Sequence, residues 1–142
     1  MSLSGMLSSV HSAIASQSGD IDRQITKLEH AKSRIESEQN ACLGEIKKVE
    51  QPDLGKDWSG TRAGKFDDAR EAARQAMTNI YEYDYDMYKS RIDGRINGLK
   101  IERGALNAAS AIAHEASELM EKGEDFMEAA GDKLSELKGW LF

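Results

Sequence analysis

Residues 51–60 read Gln51-Pro52-Asp53-Leu54-Gly55-Lys56-Asp57-Trp58-Ser59-Gly60, and Pro52 is the single proline of the chain. Proline keeps the residue before it out of helical geometry and a glycine follows shortly after, so a helix arriving from upstream stops before this stretch. Asp57 and Ser59 stand where a side-chain oxygen caps a second helix that begins around Trp58 to Thr61. A tight turn between two helices is solved by an antiparallel hairpin, each arm covering the apolar stripe of the other.

Both flanks carry the stripe that such a hairpin needs. Upstream, Leu7, Ile14, Ile21, Leu28, Ile35, Cys42 and Val49 recur by sevens, with Leu3, Val10, Ile25, Ala31 and Ile46 beside them. This is a helix period, and a seam of that length runs roughly 70 Å. Gln17, Gln24 and Glu38 interrupt it, as polar groups that set register do in coiled coils. Downstream the stripe reads Trp58, Phe66, Ala69, Ala73, Ala76 or Met77, Ile80 and Tyr81. An equal length of returning chain ends at Gly104.

Beyond that point two readings stand side by side. Ile92, Leu99, Leu106, Ala113, Met120, Met127, Leu134 and Leu141 keep a seven-residue phase through Gly94, Gly98 and Gly104, which argues for one helix or two that share a seam. Each interior glycine costs about 1 kcal/mol against alanine, which argues for a kink or turn. A break near Gly98 to Gly104 would let the last segment fold back into a three-helix bundle. A continuous helix would expose its apolar stripe and require a partner. The expected organisation is one all-α domain over 1–142: first helix 3–49, turn 50–58, second helix 59–104 and a C-terminal helical extension over 105–141.

Composition narrows the function. The 142 residues are 31% charged and 39% hydrophobic, as suits a water-soluble helical protein. The net charge of −6 repels nucleic acid on average, so no nucleic-acid partner is expected. Acidic and basic residues balance at six each over 1–49 and stand at 11 and 10 over 50–104. Over 105–142 they stand at eight and three, which places most of the negative charge in the last quarter. Cys42 is the only cysteine, which excludes an internal disulfide and leaves a small apolar packing group. The opening MSLSGMLSSVHSAIA lacks a basic start and a long apolar run. No other stretch approaches the ~20 apolar residues of a membrane span. Cytoplasmic synthesis is expected, with export alongside a partner as the route that needs no cleaved signal.

No catalytic, cofactor or metal constellation is legible, and the chain reads as no enzyme. His11, His30 and His114 lack ligand spacing, and His114-Glu115 has no second histidine four residues on. Tyr81, Tyr85 and Tyr88 share a helical face among Glu82, Asp84 and Asp86 and read either as hairpin packing or as a contact surface. Those acidic residues lack the glycine and closing glutamate of a calcium loop. The last segment, Phe126 to Phe142, is amphipathic. Its polar face is acidic, unlike that of membrane-surface helices, so a partner helix is the favoured target and no stable membrane insertion is expected. The candidate partner-binding residues are Leu106, Ile112, Met120, Met127, Leu134, Leu141 and Trp140.

Trp58-Ser59-Gly60 at a hairpin turn, with Phe66 eight residues after the tryptophan, resembles the WXG superfamily of helical hairpins linked to type VII secretion. The matching positions are Trp58, Gly60 and Phe66, and the resemblance covers residues 3–104. The additional C-terminal segment looks more like the YwqH-like family, whose members are encoded beside LXG toxins of Gram-positive bacteria, and the resemblance then spans the whole chain. It implies a chaperone-like protein that binds the helical N-terminal domain of an LXG toxin and supports its delivery. A second small helical protein or a second copy of the chain is a further expected partner. The pathway's export signal looks like an aromatic residue followed four positions later by Asp or Glu, and this chain has none. Phe66 leads to Arg70, Tyr85 to Lys89, Tyr88 to Ile92 and Phe126 to Ala130. Dependence on a partner's signal follows from that departure. The reading from a different class is a self-associating structural coiled coil without a secretion role.

Overall fold

The computed structural model describes residues 2–50 and 59–142. The turn residues 51–58, Trp58 among them, lie outside the described residues. The chain is all-α, an antiparallel helical hairpin followed by a C-terminal helix, with no strand among the described residues. Helix α1 spans Leu3–Val49 and α2 spans Thr61–Asn79. A π-helical segment, Ile80–Asp84, leads without a break into α3, Tyr85–Glu121. A short 3₁₀ turn, Glu124–Phe126, then precedes α4, Met127–Leu141. No described helix is long and apolar enough to cross a membrane.

The division expected at 104/105 falls elsewhere. Gly94, Gly98 and Gly104 lie inside helix, and the break comes at Gly123, whose φ of 118° is a conformation that side-chain-bearing residues rarely adopt. An interior glycine weakens a helix by a modest amount that the packing of a long apolar seam outweighs. A positive φ admits no such compensation, so a single glycine placed at the turn decides where the chain reverses.

Contacts divide the chain into two compact units, 1–27 with 96–142 and 28–95. In the first, α4 folds back onto α1 and the end of α3. Val10 and Ile14 of α1, Ala109, Ala113 and Ala116 of α3, and Ala130, Leu134 and Leu137 of α4 form one buried cluster, with Leu3, Leu7, Ile112, Met120 and Leu141 packed around it. Alanines on α3 let the helices approach closely. Gly131 does the same on α4, where an added Cβ would meet Leu3 Cδ2 at 3.3 Å. Gln17 sits in the interrupted seam for a reason: its amide donates to the Leu141 carbonyl at 3.2 Å, satisfying the end of α4. Arg103 aligns α3 with α1 by donating to Ser18 Oγ at 3.0 Å and to Asp22 Oδ1 at 3.2 Å. Ser18 is the one buried polar residue among those described.

In the second unit two arms meet, antiparallel, and among the described residues fewer are buried: Cys42, Ile46 and Ala63. Seam positions of the second arm fall at Ala63, Arg70 and Met77, then at Tyr85 and Ile92. The interval is seven on either side of the π segment and eight across it. One extra residue therefore enters the turn, closed by the Tyr85 N–H donating to the Ile80 carbonyl. Phe66, Ala69, Ala73 and Ile80, expected in the hairpin stripe, are exposed: ahead of the π segment the face turned to α1 already runs one residue later, so that Ala69, Ala73 and Ile80 each stand one position before a half-buried Arg70, Arg74 or Tyr81. Met77 and Tyr81 are half-buried as that stripe required, while Arg70 and Arg74 take the intervening seam positions.

Candidate functional site

The polar work of the second unit gathers where the π segment loosens the backbone. Gln39 of α1 donates from Nε2 to the Tyr81 carbonyl at 2.7 Å and to Asp86 Oδ1 at 3.1 Å. Its Oε1 accepts from Lys89 Nζ at 2.7 Å. Both ends of one amide are thereby used, and the register of the two arms is set by Gln39 while its neighbour Glu38, expected to do so, is exposed. These bonds from Gln39 and Lys89 hold the Asp86 carboxyl below the usual carboxylate range. Withdrawal from solvent, with the carboxylates of Glu38 and Glu45 nearby, pushes the Tyr85 hydroxyl up. Of the tyrosine face expected from sequence, Tyr81 and Tyr85 turn inward, whereas Tyr88 is exposed. Lys32 and Asp93 pair at 2.8 Å further along.

The turn motif is placed in part. Gly60 has φ 100° and precedes α2, where its carbonyl accepts from the Gly64 N–H at 3.0 Å. Phe66 is 49% exposed, with the Arg70 guanidinium 5.7 Å from its ring centroid. Arg70 also donates from Nε to the Val49 carbonyl at 2.6 Å, which caps α1. Phe66 thus rests on the residue that closes the first helix and does not enter a core.

The candidate partner-binding residues separate once α4 folds back. Leu134 is 0% exposed and Leu106 2%, so neither is available to a partner. Ile112, Met120, Met127 and Leu141 are half-buried. Trp140 alone is largely exposed, at 56%. The seven-residue phase through 92–141 is real, and it closes an intramolecular core because the reversal at Gly123 brings both halves of the stripe together.

What remains open on this unit is a groove of about 330 Å³ between α3 and α4, floored by Ala105, Ala108 and Ala109 and walled by Ile112, Leu137 and Trp140. On the other side of the indole lies a second hollow of about 230 Å³ beside Gln17, Ile21 and Leu106. Trp140 is the ridge between them. Glu136 edges the first groove and Glu102 the second, which gives an apolar channel an acidic border. The small side chains of Ala105 and Ala108 carry no pattern of their own in the sequence. Their contribution appears only when α4 supplies a wall.

The chain is 35% identical over 140 residues to Protein YwqH of Bacillus subtilis (strain 168), an alignment that covers 99% of this chain and 100% of that protein. No family model matches the chain. No solved structure matches it either.

Proposed function

The chain belongs to the YwqH family, and from that premise we propose that it is a non-enzymatic partner protein that binds the helical N-terminal domain of an LXG toxin and supports its delivery by type VII secretion. The observation that carries this reading is the apolar groove walled by Trp140. An amphipathic helix fits such a channel, with its larger side chains over Ala105 and Ala108. Aromatic ridges of this kind supply most of the energy in small interfaces. The acidic border suits a helix with basic flanks and gives opposite charge a faster approach. Nucleic acid is disfavoured by that same border, and no membrane insertion is invoked. A second small helical protein can share the complex without competing for this groove. The protein is made in the cytoplasm and leaves it, where it leaves at all, on its partner's export signal.

Co-expression with the N-terminal helical domain of the toxin encoded beside it tests the reading. A stable complex is expected, and Trp140→Ala should weaken it by at least tenfold while moving the protein's own stability by less than about 1 kcal/mol. Two monodisperse species that do not associate would sink the proposal.

A further inference from the structure

The reversal at Gly123 preserves a register that a hairpin does not need. From Leu106 to Leu141 the residues turned to the core stand at alternating intervals of three and four, and the count passes through the turn without slipping. Ala116, Met120, Gly123, Met127 and Ala130 are consecutive members of it. Every buried residue of α3 from Leu106 onward, and every buried residue of α4, falls in this one frame. Two helices that fold back on each other set their facing stripes by the length of the turn, and roughly one frame in seven would keep the count. Its preservation gives the same side chains a second use. With the turn straightened, they form one unbroken coiled-coil seam.

Straightening requires little of the backbone. Glu121 already ends α3 and Met127 already begins α4, so only the residues between them change conformation. That stretch holds no proline and no β-branched residue. Its interruption centres on Gly123, whose φ is 118° and around which an added Cβ would meet nothing within 4 Å. Glycine is tolerated inside α3 at Gly94, Gly98 and Gly104, and a helical Gly123 would be a fourth.

A straight helix carries α4 off its own α1 and strips the cover from Leu134 and Leu137. A second copy supplies the identical cover. With two copies antiparallel about Gly123, each lays its α4 on α1 and α3 of the other, and the contacts of the closed chain are rebuilt between copies. The Gln17 amide again donates to a Leu141 carbonyl, and Lys133 again pairs with Glu115. No other occupant matches these contacts residue for residue, and a short hinge favours such exchange. Where the two helices cross, the flexible side chains of Met120 and Met127 close over the small Gly123. Glu118, Glu121, Glu124, Asp125 and Glu128 meet their counterparts there, so low ionic strength favours the single chain and salt favours exchange.

We propose that α4 is exchanged between two copies of the chain, with Gly123 as the hinge. The secretion reading plays no part in this, because the groove beside Trp140 is rebuilt from α3 of one copy and α4 of the other; loss of toxin binding would leave the exchange standing. Sedimentation of the full chain at raised salt, after warming to just below unfolding so that α4 leaves its core, should show a dimer that grows with concentration. Gly123→Ala strains the turn and favours a helix, and should tighten the dimer at least about tenfold at each hinge, roughly a hundredfold in dissociation constant. Two glycines inserted after Gly123 keep a turn but break the frame, and should return the chain to a monomer. Exchange itself is read by mixing a Glu115→Cys chain with a Lys133→Cys chain, both in a Cys42→Ala background. A short thiol crosslinker should join the two chains to each other and neither to its own kind. Should Gly123→Ala fail to fold, this crosslink on the native hinge decides alone, and chains left unjoined at high micromolar concentration overturn the proposal. A dimer that survives the glycine insertion overturns it as well.

Discussion

The two units use the same kind of helix and reach different degrees of burial. Around residues 96–142 three helices meet, and eight side chains of α1, α3 and α4 form one buried cluster. In 28–95 two helices meet, and Cys42, Ile46 and Ala63 are the buried residues among those described. A helix in a pair can cover only one stripe of its neighbour, so the remainder stays in water and register falls to polar contacts such as those of Gln39. A third helix closes the gap. The lesson concerns surface: the three-helix unit offers a groove at its edge, and the two-helix unit offers the whole outer face of α2.

Breaking the larger core should have the largest effect. Leu134→Ala removes a fully buried side chain from the centre of the three-helix cluster and should destabilise that unit by about 2–5 kcal/mol, measured by denaturant unfolding, with hydrogen exchange rising first in α4. An equally deep loss of protection across 28–95 would show that the units do not differ as described. Gly123→Ala comes next. Its φ of 118° strains any side-chain-bearing residue, at a cost of about 1–3 kcal/mol, even though nothing lies within 4 Å of the added Cβ.

Gln39→Ala probes the two-helix unit and should cost about 1 kcal/mol through the lost bond to the Tyr81 carbonyl. The same substitution should move the Asp86 carboxyl up toward its ordinary value, as read by carboxyl NMR titration. Because its pKa is lowered in the folded protein, the ionised form favours folding. That contribution is complete above the ordinary carboxylate range and is lost as pH falls through the lowered value. In the variant the loss begins at higher pH. An Asp86 titration that ignores the substitution would remove Gln39 from the account. The smallest effect has the opposite sign: Gly104→Ala lies mid-helix in open space and should stabilise by about 0.5–1 kcal/mol in thermal unfolding.

The pair Gly104 and Gly123 also shows how much could be read in advance. Glycine is identical in sequence wherever it stands, and only the backbone angle it adopts separates a tolerated helical residue from a turn. Three glycines close together drew attention to 94–104, while Gly123, in Lys122-Gly123-Glu124, stood alone. Lys122, also at the helix end, lies 5.7 Å from the Phe126 ring centroid, a contact that exists only after the reversal. The π segment was equally silent. An extra residue in a turn changes no local propensity and shows itself only as an interval of eight between Met77 and Tyr85.

Seven-residue periodicity and the single proline determined that the chain is helical, that α1 spans Leu3–Val49, and that a returning arm follows. These depend on near neighbours along the chain, which a sequence records directly. The destination of the last stripe depended on partners distant in sequence. Leu134 and Leu141 have the same spacing whether they face another protein or this chain's own Val10, and only the fold-back of α4 chose the second. That choice left Leu106 and Leu134 buried, Ile112, Met120, Met127 and Leu141 half-covered and Trp140 as the exposed one, because the free energy of closing an internal core is gained before any partner arrives.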